Sequence, residues 1–407
     1  MSRYPSDWLS KPLGKVYPKI VVGYVGNVND HYCRAEEGVP FYRTLNIRDG
    51  YFRHSEHLYV THEFNEKNKK SQITNNDILI ARVGANLGMV CKANGISGLA
   101  NMANAIIIKT NDVNSADADF YTSFLLSPMG KNQIYSGAAG GAQGVFNTKL
   151  TQEIIVPVPP LPEQRKIAQI LSTWDKAIAS TEKLIDASKQ QKKALMQQLL
   201  TGKKRLVDPE TGKAFEGEWE QVSFGDIAKV SSKKYDPNKM ESSFPCVELE
   251  HLAQDSGVIL GTVESKQLSS IKNVFHSGDV LFGKLRPYLK KYAHPKFSGV
   301  CSTEIWVLKA QKAVISEYLY QFIQTNIFVS EANKSAGSKM PRADWGVVTQ
   351  LILKIPCHQE QQKIASVLTA ADKEIELLEA KLAHFKQEKK ALMQQLLTGK
   401  RRVSLSS

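Results

Sequence analysis

The chain has 407 residues, 42% apolar and 23% charged, which is ordinary for folded protein and more than one hydrophobic core usually supports. Its 53 Lys and Arg against 40 Asp and Glu give a net charge of +13, which points to a polyanion such as nucleic acid as partner. No 18-residue apolar run marks a membrane span, MSRYPSDWLSKPLGK holds no signal-peptide core, and the five cysteines (Cys33, Cys91, Cys246, Cys301, Cys357) are odd in number and lack C-x-x-C spacing, so the expectation is a cytoplasmic protein with no disulfide frame, no metal and no membrane.

Residues 1–158 read as a first globular domain of mixed, mostly β character. Short β-rich runs such as NDILIARV and NAIIIKT alternate with Gly, Asn and Asp turns. Arg43, Arg48, Arg53, Arg82 and Asn86 are candidate DNA contacts, because Arg bridges guanine and Asn adenine in the major groove. The run HSEHLYVTHEFNE offers His54, His57, His62 and Glu63, but Glu66 stands where H-E-x-x-H needs its second His. GAAGGAQG, Gly137 to Gly144, lacks the strand and helix of a dinucleotide site and reads as a DNA-facing loop, with Gln143 as its candidate contact.

Residues 159–205 read as one long helix. Apolar residues recur at spacings of four and three through Ile167, Leu171, Trp174, Ile178, Ile185, Leu195 and Leu199, Pro162 suits the first turn, and Gly202 suits a left-handed cap.

Residues 206–355 form a second mixed domain with the same order of features. Each domain opens on a Trp and a Gly turn (Trp8, Trp219) and carries an Asp-initiated strand (Asp77, Asp279). Each closes on a Gly-containing loop before a hydrophobic strand and a proline. The strongest local DNA signal is LFGKLRPYLKKYAHPK, Leu281 to Lys296, with five Lys or Arg, no acid and two tyrosines. It supplies Lys284, Arg286, Tyr288, Lys290 and Lys291 as candidates, and the closing loop adds Lys339 and Arg342.

Residues 356–407 read as a second long helix, with its seam at Ile364, Leu368, Ile375, Leu392 and Leu396. It repeats the first at a period of 197 residues: Glu163 to Val207 and Glu360 to Ser404 share 25 of 45 positions, and KKALMQQLLTGK from Lys192 recurs unchanged from Lys389. Helices this long cannot hide an apolar stripe alone, so an antiparallel coiled coil with pseudo-twofold symmetry is expected. A lysine, Lys192 or Lys389, interrupts each seam and is free either to fix register or to face solvent. The repeats hold much of the positive surplus, ten Lys or Arg against four acids in the first and nine against six in the second, a surplus suited to phosphates or to an acidic partner.

A variable domain, P-P-x-x-E-Q-x-K-I-A opening a long helix, a second variable domain and the same helix again resemble the specificity (S) subunit of type I restriction-modification systems over nearly the whole chain. Glu163-Gln164-Arg165-Lys166-Ile167-Ala168 and Glu360-Gln361-Gln362-Lys363-Ile364-Ala365 stand where that family's helix-opening motif stands, although the second copy reads IPCHQEQ and keeps only Pro356. The resemblance implies an α/β (α+β) chain of two target recognition domains, each reading one half of a split site in double-stranded DNA. It implies spacer helices that set the gap and dock two methyltransferase (M) subunits, with S-adenosylmethionine held by those partners and restriction (R) subunits completing the complex. The chain itself shows neither an N/D-P-P-Y/F methyltransferase loop nor a Walker A motif, so it is expected to be non-catalytic. The competing expectation is a coiled-coil adaptor that reads no DNA.

Overall fold

The structure, a computed structural model, describes residues 4–111, 113–139, 145–208, 210–334 and 341–405. The chain divides into two compact units, residues 1–182 with 381–407 and residues 183–380. Each unit combines a mixed α/β domain with parts of two helices, α1 (Leu161–Leu199) and α2 (His358–Leu396), both 39 residues long and lying within the two stretches that the periodicity marks as helical.

In the first unit, β1 (Ile20–Val22), β2 (Ile78–Ala81), β3 (Val90–Lys92) and β4 (Ala105–Ile108) make an antiparallel sheet in the order β1-β4-β2-β3. In the second, β5 (Ala228–Val230), β6 (Val280–Gly283), β7 (Tyr292–Ala293) and β8 (Ile305–Ala310) repeat that order as β5-β8-β6-β7. Strands β2, β4 and β6 are buried along their whole length, which is why their sequences read as unbroken apolar runs and not as alternation. The aspartates before β2 and β6 close the entering turns: Asp77 accepts from the Thr74 backbone N–H at 2.8 Å and Asp279 from that of His276 at 2.8 Å. A second sheet carries one parallel pair in each unit, Phe41 opposite Asn101 and Cys246 opposite Val300. It has three strands in the first unit and five in the second, a difference no sequence pattern announced.

The ends of both helices complete each core. In the first unit Ile167, Leu171, Leu396 and Leu397 pack with Trp8, Ile78, Ile80, Phe120 and Phe124. In the second, Leu199, Leu200, Ile364 and Leu368 pack with Phe224, Phe282, Trp306 and Phe322. Along the exposed middle of the helices the seam persists as the least exposed line, with Ile185 buried and Ile178, Leu195, Ile375 and Leu392 half-buried.

The lysines that interrupt the seams are engaged. In the first unit Lys389 pairs with Asp175, Lys386 with Glu182 at 2.8 Å, and Trp174 meets Phe385 edge-on at 5.6 Å. In the second unit Lys192 pairs with Asp372 and donates to Gln324 Oε1 at 2.8 Å, and Lys189 pairs with Glu379 at 2.6 Å. Within each unit the numbering rises along α1 as it falls along α2, so the two helix segments run antiparallel there. The five cysteines are free; Cys91, Cys246 and Cys301 are buried and Cys357 is exposed.

Candidate nucleic-acid interface

One turn recurs in both units at the same place in the sheet. It joins β2 to β3 over Arg82 to Met89 in the first unit and β6 to β7 over Lys284 to Lys291 in the second. Two backbone bonds recur at equivalent positions: Ala81 N–H to Met89 O (2.9 Å) with Gly283 N–H to Lys291 O (2.8 Å), and Leu87 N–H to Gly84 O (3.0 Å) with Leu289 N–H to Arg286 O (2.9 Å). The closing loop of each domain docks on the first residue of the turn, Phe146 N–H on Arg82 O at 3.1 Å and Ala343 N–H on Lys284 O at 2.8 Å. Candidates chosen separately in the two domains therefore occupy equivalent positions, Arg82 with Lys284 at the base and Asn86 with Tyr288 at the tip.

In the first unit the turn is joined to a neighbouring loop that carries the other arginines. Arg48 Nη1 donates to Asn86 Oδ1 at 3.0 Å, and Asn86 Nδ2 donates to Thr44 O at 3.3 Å. Arg43 Nη2 reaches Glu56 O at 3.4 Å, while Arg53 pairs with the Glu56 carboxylate and donates to Ser55 Oγ at 2.7 Å. The residue that organises this loop is Asn46, fully buried: its Oδ1 accepts from Arg43 N–H at 2.9 Å and its Nδ2 donates to Arg53 O and Ser55 O, both at 2.9 Å. An Asn three residues after an Arg is the only signal the sequence offers for it. Arg43 and Arg82, both half-buried, each keep a buried Nε without a hydrogen-bond partner among the described residues. His54 and His57 belong to an aromatic cluster, with Tyr42 Oη and His54 Nδ1 at 3.2 Å and His57 Nε2 and Tyr59 Oη at 3.0 Å. Among the described residues no group of three or more His, Cys, Asp or Glu is placed to hold a metal ion.

In the second unit the basic stretch divides by task. Lys291 donates to Leu249 O at 2.7 Å and Lys290 to Asn326 Oδ1 at 3.1 Å, so both brace the turn against its neighbours. Arg342 forks onto Glu304 at 3.1 and 3.3 Å. Lys284 is half-buried, whereas Arg286 and Tyr288 are exposed. Gln143 and Lys339 lie outside the described residues.

The repeated ends of the helices have a different use. Glu163, buried at the start of α1, accepts from Arg402 Nε at 2.7 Å and Trp8 Nε1 at 3.0 Å. Glu360, at the start of α2, accepts from Arg205 Nε at 2.7 Å and Trp219 Nε1 at 3.2 Å. The fork of Glu163 and Asp7 holds the Arg402 guanidinium proton more tightly than usual, its pKa raised chiefly by those hydrogen bonds. The adjacent glutamines tie each helix to its own domain: Gln164 Oε1 accepts from Asp117 N–H at 2.9 Å, and Gln361 Oε1 from Ile315 N–H at 3.0 Å. Part of the basic surplus expected to face phosphates or partners is thus engaged within the chain, by the half-buried Arg205 and by the exposed Arg402, while Lys203, Lys204, Lys400 and Arg401 are exposed as well.

The family model for the type I restriction modification DNA specificity domain matches residues 5–189 and 216–387, both variable domains and most of both helices. The chain belongs to this family. As a specificity-domain protein it is similar along its length to the type I restriction enzyme MjaVIII specificity subunit of Methanocaldococcus jannaschii, 25% identical over 98% of this chain and 94% of that one. Similarity to the EcoDI specificity subunit of Escherichia coli, 24% identical, is confined to 36% of this chain. The S subunit of a type I restriction-modification system from M. genitalium shares the fold, with a TM-score of 0.60 at 13% identity over 98% of this chain and 97% of that one. The HsdS subunit of Thermoanaerobacter tengcongensis does so at 0.50 and 15% over 98% of each chain. No helix among the described residues of this specificity-domain protein is long and apolar enough to cross a membrane.

Proposed function

We propose that the chain is the non-catalytic, DNA-reading subunit of a type I restriction-modification complex, acting on double-stranded DNA in the cytoplasm. Each unit reads one half of a bipartite site. Helices α1 and α2 form an antiparallel coiled coil with pseudo-twofold symmetry that sets the unread gap and docks two methyltransferase subunits. Those partners hold S-adenosylmethionine, and restriction subunits join the same assembly.

The observation that carries this reading is the contrast inside the duplication. Both units keep the same strand order, the same reading turn and the same Glu-Arg-Trp cluster at the helix entry, yet the side chains on the turn differ, Arg82 and Asn86 against Lys284 and Tyr288. A shared frame with divergent tips is what two readers of different sequences require, since backbone frames position and side chains specify. A coiled-coil adaptor would need the helices and the cluster but no such divergence.

The test is co-expression with the accompanying methyltransferase in a methylation-free host, followed by mapping of N6-methyladenine by single-molecule sequencing. The expected result is one bipartite motif with a fixed, undefined gap. Methylation at a continuous site, or none despite a stable complex, would return the chain to the adaptor reading.

A further inference from the structure

The two turns share two backbone hydrogen bonds and two left-handed positions, but not the residues that occupy those positions. In the first unit these are Gly84 (φ +74°) and Gly88 (φ +82°), where glycine bears no Cβ penalty. In the second unit the equivalent positions are Arg286 (φ 53°) and Lys290 (φ 48°), two long side chains in a conformation that L-residues with a Cβ adopt at an energetic cost. Lys290 has a structural reason to be there, its bond to Asn326. Arg286 has none: its guanidinium makes no hydrogen bond or ion pair among the described residues, and the side chain is exposed. A Cβ built on Gly84 meets nothing within 4 Å, so the sister position also opens outward.

Strained, exposed and unpartnered side chains on a rigid frame mark functional positions. The frame here is well fixed, with Arg286 N–H on Pro341 O at 2.7 Å, Pro287 buried behind it, and Lys290 and Lys291 bracing the far side. Building on the reading of this chain as a DNA-reading subunit, we propose that Arg286 is a base-reading residue of the second unit, its free fork taking the O6 and N7 edge of a guanine in the major groove of that unit's half-site. Its class of ligand follows from its geometry: a planar guanidinium with its donors unspent presents a fixed fork to guanine O6 and N7, where the ammonium of a lysine is a point charge on a flexible stem.

The test uses the full chain with its methyltransferase partner and compares Arg286→Gly, Arg286→Lys and wild type by N6-methyladenine mapping and thermal unfolding. Arg286→Gly installs the residue the sister turn already carries, so the second unit is expected to melt about 2–4 °C higher. It is also expected to lose the preference for guanine at one position of one half-site, with the other half-site unchanged. Arg286→Lys, which keeps the charge and loses the fork, is expected to relax the same position. A wild-type motif that persists unchanged in both variants overturns the assignment. So does a uniform fall in methylation with the motif intact, the mark of a phosphate contact. Absence of any bipartite motif from the wild type would instead refute the functional reading on which the assignment rests.

Discussion

At the scale of single residues, the repetition of KKALMQQLLTGK was plain in the sequence, but its cause was not. A left-handed cap at the two glycines could be read from Thr-Gly alone, and Gly202 and Gly399 do stand at φ +71° and +68°. What could not be read is that the arginines just beyond them turn inward to a glutamate some 155 or more residues earlier or later in the chain, because nothing local distinguishes a clamp from a solvated basic tail. The two caps are not equally crowded. A Cβ at Gly399 would lie 2.5 Å from the Pro5 ring, whereas at Gly202 its nearest neighbour is the Trp219 ring at 3.4 Å. Both Gly→Ala changes force a left-handed alanine, at about 1–2 kcal/mol, and only Gly399→Ala adds a steric overlap. Denaturant unfolding of the two variants should therefore show losses from both, with Gly399→Ala clearly the larger; equal losses would mean that the Pro5 contact yields freely.

At the scale of elements, the strands and long helices were legible because their signals are periodic or continuous. The Asp before β2 and before β6, the unbroken apolar runs and the seam of α1 and α2 each follow from one rule. The two additional strands of the second unit were not legible, since Lys234–Tyr235 is two residues long and leaves no period to detect, and Lys272–Phe275 opens on two polar residues and gives no apolar alternation. Nor could sequence choose between solvent and a partner for Lys192 and Lys389. The structure gives them Asp372 and Asp175, pairs that the 197-residue period maps onto each other, but in unequal settings. Lys192 and Asp372 are 13% and 33% exposed, whereas Asp175 is 58% exposed. Double-mutant cycles to alanine should give a coupling of about 1 kcal/mol for Lys192 with Asp372 and less for Lys389 with Asp175. Raising the salt should erode the second coupling more than the first. The reverse order would show that exposure does not set the strength of these pairs.

At the scale of the whole molecule, the proposed function makes the helices a measure of length, and length can be changed without touching either reading turn. Removing one heptad from each helix, residues 178–184 and 375–381, preserves the phase of the seam and shortens each by about 10 Å. On duplex DNA that is an axial step of about three base pairs. Three is the upper limit, because each base pair removed also turns the second half-site by about 35° around the duplex, whereas a heptad turns a straight helix by only about 20°. A balance of translation against twist favours a gap shorter by one or two base pairs, with both half-sites unchanged. Methylation mapping of the doubly deleted chain in complex with its methyltransferase would show this directly. A gap of the original length would mean that the spacing is fixed by the partner subunits and not by α1 and α2, and altered half-sites would mean that the reading turns depend on the helices for more than their position.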